Sequence, residues 1–161
     1  MNSTLHAGYL PGCIGRVAQL HAEYYSRVAG FGVAFEAKVA REMSAFCERL
    51  QSGRDGLWLA LDDSGQVQGA IAIDGEAAQL QGALLRWFIT SDLTRGSGVG
   101  GRLLAEALAF CERAGHPRVY LWTFEGLAAA RHLYEKAGFR LVLQQRGAQW
   151  GTEVSEQRFE R

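Results

Sequence analysis

A glycine-rich segment, Gly96-Ser97-Gly98-Val99-Gly100-Gly101, constrains the fold of this chain more than any other feature. It follows an apolar run from Ala83 to Ile89 and precedes a helical pattern that starts at Arg102. Glycine permits positive φ and removes side-chain bulk, so successive backbone N–H groups can converge on one anion. The helix that follows adds unpaired N–H groups and the positive end of its dipole. A strand, a glycine loop and a helix in this order predict a phosphate-binding site.

Three kinds of phosphate-binding loop compete for this segment. It matches the dinucleotide-binding pattern G-x-G-x-x-G, but in that fold the first glycine comes directly off the strand. Here six residues separate Ile89 from Gly96. No Gly-Lys-Ser/Thr triplet follows the loop, which excludes a P-loop. The third kind is a loop for the pyrophosphate of an acyl-CoA.

Two motifs support the acyl-CoA loop. Arg95-x-x-Gly98-x-Gly100 resembles the R/Q-x-x-G-x-G/A pyrophosphate motif of the GNAT superfamily of N-acetyltransferases. Further along, the segment from Leu133 to Phe139 (LYEKAGF) is similar to the L-Y-E-K-x-G-F signature of the same superfamily. The order and the spacing of the two motifs agree with that family. The resemblance implies a GNAT fold that binds acetyl-CoA as acyl donor.

The resemblance extends over most of the chain. The segments 11–15 and 20–25 and the ending 150–159 look like the acetyltransferase domain that is often fused behind a MarR-type DNA-binding domain. The substrates of that subgroup are poorly defined, so the resemblance indicates the cofactor better than the acceptor. We expect residues 1–161 to form a single N-acetyltransferase domain.

The hydrophobic periodicity agrees with an α/β fold in which helices flank a mixed, mostly antiparallel central sheet. On the second helix, Phe35, Val39, Met43, Phe46 and Leu50 share one face. The expected elements are a short strand over 4–10, helices over 15–28 and 35–50, strands over 57–61, 66–73 and 79–89, a helix after the glycine loop, a strand over 118–124, a helix over 127–136, and an antiparallel pair over 139–145 and 153–159.

The resemblance also implies how acetyl-CoA binds. In the GNAT fold the parallel strands at 83–89 and 118–124 splay apart, and the pantetheine arm pairs with the exposed edge of the first of them, as an added strand would. The loop amides take the pyrophosphate, and Arg95 or Arg102 adds a charge-assisted contact. The residues expected to bind the cofactor are Phe88, Ile89, Arg95, Gly96, Ser97, Gly98, Val99, Gly100 and Gly101.

Tyr134 is the candidate general acid, because its position matches the catalytic tyrosine of the family. The implied reaction moves an acetyl group to a primary amine of a small molecule or peptide by direct attack. The departing CoA thiolate then needs a proton. A thiol has a pKa of about 8.5 and tyrosine of about 10, so tyrosine can donate to a thiolate and stay protonated at rest.

The general base has several candidates. Some family members use a glutamate on the central strand, but residues 77–91 contain no Asp or Glu. Glu125, at the carboxyl end of the strand 118–124, is the best-placed carboxylate, and we predict that it is catalytic together with Tyr134. The alternatives are Glu36, Asp74, Glu76, His21 and His132.

The chain departs from the family pattern at two places, and two alternatives to acetyl transfer stay open. Many relatives carry asparagine, which binds the pantetheine, six residues before the Leu-Tyr pair, whereas this chain has Leu127. Leu127 and the missing strand carboxylate leave a rival function open, a non-catalytic acyl-CoA-binding or sensing module. The G-x-G-x-x-G match leaves a dinucleotide-dependent oxidoreductase as a third option. Trp87 and Trp122 lie on the two splayed strands, where they belong either to an acceptor pocket or to the core.

Composition narrows the partners. The 17 basic and 17 acidic side chains balance to a net charge of zero, which argues against a nucleic-acid partner. No apolar run approaches a membrane span, and no His or Cys spacing suits a metal. The three cysteines are far apart in sequence, as in a reduced, cytoplasmic protein. The family resemblance implies an amine acceptor, in a pocket built from the first two helices and the loops near Asp74 and Trp150. The family resemblance leaves a homodimer open.

Overall fold

The structure is a computed structural model that describes residues 2–161. Its strands are β1 (Thr4–Ala7), β2 (Gly56–Leu61), β3 (Val67–Asp74), β4 (Ala83–Thr90), β5 (Val119–Phe124), β6 (Arg140–Gly147) and β7 (Val154–Glu160). Its helices are α1 (Cys13–Ala29), α2 (Val33–Arg49), α3 (Ala78–Gln81), α4 (Val99–Ala114) and α5 (Ala128–Lys136), and a 3₁₀ turn spans Asp92–Thr94.

The strands form one sheet in the order β1-β2-β3-β4-β5-β7-β6. All neighbouring strands are antiparallel except β4 and β5, which run parallel. This arrangement confirms the predicted fold class, a mostly antiparallel mixed sheet with a central parallel pair.

The sheet packs between two layers of helices. Strand β2 shows the division: Trp58 and Ala60 join a core with Leu103 of α4, whereas Leu57 and Leu59 join a second core. The second core also contains Val17 of α1 and Met43 and Phe46 of α2. Four of the five residues predicted to share one face of α2 are buried, namely Phe35, Val39, Met43 and Phe46. The fifth, Leu50, lies just past the end of the helix and is partly buried. No helix within residues 2–161 combines the length and apolar character that a membrane crossing requires.

The central parallel strands separate soon after they meet. Only Ala83 with Val119 and Leu84 with Tyr120 are paired between β4 and β5. Beyond these residues β4 stays bonded to β3, and β5 stays bonded to β7. A gap therefore opens between the carboxyl halves of β4 and β5, and the edge of β4 that faces it lacks a strand partner. The splayed strands predicted from the sequence are confirmed.

A β-bulge shapes β4 beside this gap. Ala70 pairs with Ile89 but Ala72 pairs with Arg86, so β4 carries one residue more than β3 over this stretch. Trp87 lies in the bulge with φ of 49°, a backbone conformation that costs a bulky side chain about 1–3 kcal/mol. Its ring packs edge-on against Phe46 at 5.4 Å and under the Arg86 guanidinium at 4.2 Å. These contacts hold the strained residue in place.

The expectation of a strand over 79–89 was wrong at its start. Residues 78–81 form the one-turn helix α3, and β4 begins only at Ala83. Gly82 separates the two elements with φ of 97°, and its N–H donates to the Ala78 carbonyl at 3.1 Å. Leu80, which supported a strand in the sequence pattern, is 82% exposed. The apolar character of Leu80 did not distinguish a strand from a one-turn helix.

Candidate active site

The glycine loop begins α4 with open backbone N–H groups. Gly96 and Gly98 have φ of 77° and 81°, and Gly98 is the residue that caps the helix. Gly100 and Gly101 lie in the first turn, where the helix cannot satisfy its own N–H groups. A Cβ built on Gly96, Gly98 or Gly101 would find no atom within 4 Å. The loop is therefore an open cradle at the positive end of a helix, as an anion requires.

A cavity of about 560 Å³ lies against this loop, and we call it the loop cavity. It extends from the cradle along Phe88, Ile89 and Thr90 of β4 to the start of α5. Eight of the nine residues predicted to bind the cofactor line it: Phe88, Ile89, Arg95, Gly96, Gly98, Val99, Gly100 and Gly101. Leu127 lines it as well, so the departure seen in the sequence falls on the cavity wall.

The polar side chains in and beside the loop already make hydrogen bonds to other residues of the protein. Ser97, the ninth predicted residue, does not line the cavity, because its hydroxyl donates to the Thr94 carbonyl at 2.5 Å. Arg95 lines the cavity, and its guanidinium donates to Asp92 at 2.8 Å. Arg102 points elsewhere and donates to the Ser3 carbonyl at 2.9 Å. Of the two candidate arginines, only Arg95 faces the cavity.

A second cavity, of about 210 Å³, adjoins the first, and we call it the aromatic cavity. Nine aromatic side chains line it: Tyr25, Phe31, Phe35, Trp87, Phe88, Trp122, Phe124, Tyr134 and Trp150. They come from α1, α2, β4, β5, α5 and the segments that follow α1 and β6. Tyr25 and Phe88 also line the loop cavity, so the two cavities share these walls.

Tyr134 lies in the wall of the aromatic cavity, close to this junction. Its ring centroid is 6.0 Å from that of Phe88 and 5.9 Å from that of Phe139. The side chain is buried, and its hydroxyl makes no hydrogen bond within residues 2–161. Burial raises the pKa of Tyr134 above its ordinary value, and a charge on the nearby Tyr25 would raise it further. Tyr134 is therefore a protonated phenol, able to donate a hydrogen bond or a proton.

Charged side chains at the edge of the aromatic cavity form a closed network. Both oxygens of Glu42 are occupied, one by Lys38 at 2.7 Å and the other by Arg86 at 2.7 Å. Arg86 also contacts Asp74 at 3.3 Å, and Arg49 contacts the same carboxylate at 2.6 Å. Burial opposes ionisation of Asp74, but the bonds and charge of Arg49 hold its pKa below the ordinary value. No carboxylate that lines this cavity is without a cation.

His21 projects from α1 into the aromatic cavity. It is 5% exposed, and its ring stacks on Tyr25 with centroids 6.1 Å apart. Nδ1 lies 2.8 Å from the Val17 carbonyl, which can only accept, so Nδ1 carries the proton. Burial lowers the pKa of His21 from 6.5 to about 4. At neutral pH the ring is uncharged, with a bare Nε2.

The burial of neutral His21 predicts a pH-dependent stability. The pKa of about 4 in the folded state is below the unfolded value of 6.5, so the unfolded chain takes up a proton first as the pH falls. The free energy of unfolding should therefore drop by about 3 kcal/mol between pH 7.5 and pH 4 on account of this residue. Urea unfolding of the wild type and of His21→Gln measures it, because other groups cancel in the difference. A difference that stays constant with pH would contradict a neutral His21.

The remaining candidate bases lie outside both cavities. Glu125 is exposed at the end of β5, where its backbone N–H donates to the Ser155 carbonyl at 2.9 Å. Glu36, Glu76 and His132 are exposed as well. Neither cavity is lined by any of these four residues or by Asp74. The structure thus brings Tyr134 and the loop residues to adjoining cavities but does not bring Glu125 to them.

Several residues of the aromatic cavity were not predicted as site residues. Tyr25, Phe31 and Phe124 were absent from the prediction, and His21 was only one of several alternative bases. The spacing of His21 and Tyr25, four residues apart on a helix, does place both on one face. Nothing in the sequence, however, says that this face meets the gap between β4 and β5. That juxtaposition arises only when α1 packs on the sheet.

A sequence model of the acetyltransferase (GNAT) family matches residues 16–139 of the chain. The matched range includes the glycine loop and Tyr134. No curated protein sequence matches the chain.

Solved structures share the fold at low sequence identity. The protein yncA from Salmonella typhimurium, with its cofactor acetyl-CoA, superposes with a TM-score of 0.76 at 17% identity over 100% of this chain and 94% of that one. A phosphinothricin acetyltransferase from Sinorhizobium meliloti in complex with acetyl-CoA gives 0.73 at 19% identity over 100% and 88%. A variant of the spermidine N-acetyltransferase SpeG from Vibrio cholerae gives 0.69 at 17% identity over 98% and 93%.

Proposed function

Because the chain belongs to the acetyltransferase (GNAT) family, we propose that it transfers an acetyl group from acetyl-CoA to a primary amine of a small molecule or peptide. One observation carries the proposal: the open glycine cradle and the gap beside β4 form one cavity, and that cavity shares a wall with a second cavity lined by Tyr134. Two of the structural neighbours contain acetyl-CoA, which supports the choice of acyl donor.

The residues of the loop cavity suit an acyl-CoA. Gly96, Gly98 and Gly101 leave the cradle free of side chains, and the first N–H groups of α4 offer donors to a pyrophosphate. Arg95 adds a positive charge at the same wall. The unpaired edge of β4 near Phe88 and Ile89 offers backbone groups to an extended amide chain. Leu127 contributes only apolar contact, so backbone groups carry the polar contacts.

When bound, acetyl-CoA supplies the acetyl group as a thioester, which a primary amine attacks to give an amide and the CoA thiol. Tyr134 donates the proton that the leaving sulfur needs, because its hydroxyl is free and its phenol is protonated. The proton that the amine gives up restores the phenol, so the enzyme neither gains nor loses a proton over the reaction.

The amine is made reactive by the cavity rather than by Glu125, which is exposed outside both cavities. A primary amine with a pKa of about 10.4 is neutral in about one molecule in a few thousand at pH 7. Transfer into an apolar cavity disfavours the ammonium form and lowers that pKa. We propose that desolvation among the aromatic rings raises the neutral fraction. The ammonium proton lost before the attack leaves to water, and the second proton, lost by the nitrogen after the attack, returns to Tyr134.

Acetyl-CoA and CoA are expected to stabilise the protein, whereas NADH is not. A ligand at about 100 times its Kd adds about 2.7 kcal/mol to the free energy of unfolding, which raises the midpoint by a few degrees. Thermal unfolding with each of the three ligands measures this effect. A shift with NADH but not with CoA would favour the dinucleotide-binding alternative instead.

Turnover separates the enzyme from a binding module. Thiol release should be followed with saturating acetyl-CoA and a panel of primary amines, against a control without amine. Amine-dependent release supports acetyl transfer. Tight binding of acetyl-CoA without release for any amine would favour the non-catalytic acyl-CoA-binding alternative.

A further inference from the structure

His21 has an unused hydrogen-bonding position on the ring nitrogen that is open to the aromatic cavity. His21 is 5% exposed, and Nδ1 donates to the Val17 carbonyl at 2.8 Å, which fixes the tautomer. Nε2 has no hydrogen-bond partner within residues 2–161, and it is not sealed inside the protein. Because His21 lines the cavity, this bare nitrogen is an acceptor available to a ligand there. The nitrogen is open to the cavity, so a ligand that brings an N–H or O–H group there can donate to it.

The neighbours of His21 cannot supply that donor. Its ring lies between Tyr25, at a centroid distance of 6.1 Å, and Phe35, at 6.4 Å. Phe35 has no polar hydrogen, and the Tyr25 hydroxyl makes no hydrogen bond with the ring within residues 2–161. Lys38 lines the same cavity but donates to Glu42 at 2.7 Å. No side chain within residues 2–161 donates to Nε2 of His21, so a molecule that occupies the cavity can supply the donor.

The rest of the cavity restricts the body of that molecule. Nine aromatic side chains surround a space of about 210 Å³, which is smaller than the roughly 300–1,000 Å³ of pockets for drug-sized ligands. Glu42 is the one carboxylate in the lining, and Lys38 and Arg86 already occupy both of its oxygens. A second ammonium group, as in a polyamine, would find no free anion. A compact apolar or aromatic body fits these walls.

We propose that the acceptor is a primary amine on a small aromatic or branched apolar body, and that its amino group donates a hydrogen bond to Nε2 of His21. The proposal rests on the acetyl transfer proposed above. A neutral primary amine has two N–H donors and one lone pair, so a bond to Nε2 uses a donor and leaves the lone pair for attack. His21 is then a specificity residue, because it selects molecules that bring a donor into the aromatic cavity.

Kinetics with three probe amines test the substrate class. At saturating acetyl-CoA, kcat/KM for 2-phenylethylamine and for 3-methylbutylamine should exceed that for spermidine by at least tenfold. The preference follows from the aromatic walls and from the lack of a free carboxylate. Equal or better use of spermidine would overturn the substrate class but leave the proposed acetyl transfer standing.

Two variants of His21 test the hydrogen bond. His21→Leu removes the acceptor and keeps an apolar side chain, so KM for 2-phenylethylamine should rise about tenfold while kcat changes less than threefold. His21→Gln can place its amide oxygen near the position of Nε2, so it should recover most of the affinity. Thermal unfolding at pH 7.5 checks that both variants are folded. If KM is unchanged in His21→Leu, or if Gln behaves like Leu, the role of His21 is wrong.

A readout without turnover keeps the inference falsifiable if no probe amine is acetylated. In ¹⁵N-labelled protein, the imidazole signals of His21, assigned with His21→Gln, should show a protonated Nδ1 and a bare Nε2 from pH 8 to pH 5. Adding 2-phenylethylamine should shift the Nε2 signal in the direction of hydrogen bonding. A protonated Nε2, or no change on saturation with the amine, would overturn the proposal. Loss of acetyl-CoA binding alone would instead contradict the proposed function.

Discussion

Tyr134→Phe is expected to lower kcat by about 100- to 1,000-fold and to leave the Kd for acetyl-CoA within about threefold. General acid catalysis is worth about 10²- to 10⁴-fold, and no other hydroxyl is predicted to protonate the leaving sulfur. The effect should be confined to kcat, because the ring of Tyr134 packs against Phe88, Phe139 and Phe159 through contacts that phenylalanine keeps. Steady-state thiol release and calorimetric binding of acetyl-CoA measure the two quantities.

Tyr120→Phe is the matched control for this variant. Tyr120 is also a buried tyrosine, but it lines neither cavity, and its hydroxyl lies 3.4 Å from Gln81. It should retain nearly full activity. A wild-type kcat in Tyr134→Phe would show that the sulfur leaves without this phenol. Retention of a tenth of kcat or more would contradict Tyr134 as the main proton donor.

Gly101→Glu is expected to raise the Kd for CoA by about 100-fold or more without loss of fold stability. Gly101 is exposed in the first turn of α4, and a Cβ there meets no atom within 4 Å. An acidic side chain near a helix N-terminus is stabilising, and replacing glycine raises helix propensity. In the cradle, however, the carboxylate would face the phosphates of the ligand. Two like charges near a protein surface repel by several kcal/mol at contact, and 1.4 kcal/mol is a tenfold change in Kd.

Gly101→Gln separates charge from size. It has the same length and shape as the glutamate variant but no charge, so its Kd should rise by less than about tenfold. The Kd of the glutamate variant should also fall with added salt, because screening weakens the repulsion. Calorimetric titration of CoA into both variants at two salt concentrations measures this. Equal losses for Glu and Gln would mean that the phosphates do not bind beside Gly101.

The sequence predicted the parts of this site that depend on local chain chemistry. The glycine loop was recognisable because only glycines suit positive φ at positions 96 and 98. Tyr134 was found through a motif with a fixed place at the end of a helix. The positions of most helices and strands along the chain followed from apolar runs and the turns between them. In each case the information lies within about ten residues of chain.

The missing parts depend on contacts between distant segments. The bulge at Trp87 exists because β4 has two residues between the partners of Ala70 and Ala72, where β3 has one. No local sequence pattern predicts this register. The aromatic cavity needs His21, Phe35, Trp122 and Trp150 to meet, although they are widely separated in sequence. Each of these residues alone is an ordinary core aromatic or helix residue. Glu125 is the opposite case. Its place at the end of β5 favoured a catalytic role in the sequence, but in the structure the residue lies outside both cavities.

Because the two cavities share walls, we expect the binding of their ligands to be thermodynamically coupled. Tyr25 and Phe88 belong to both linings, so a molecule that fixes these rings in one cavity alters the surface offered in the other. By linkage, the factor by which an amine changes the affinity for acetyl-CoA equals the factor by which acetyl-CoA changes the affinity for the amine. We therefore expect bound acetyl-CoA to change the affinity for the amine through the rings of Tyr25 and Phe88, and a bound amine to change the affinity for acetyl-CoA by the same factor.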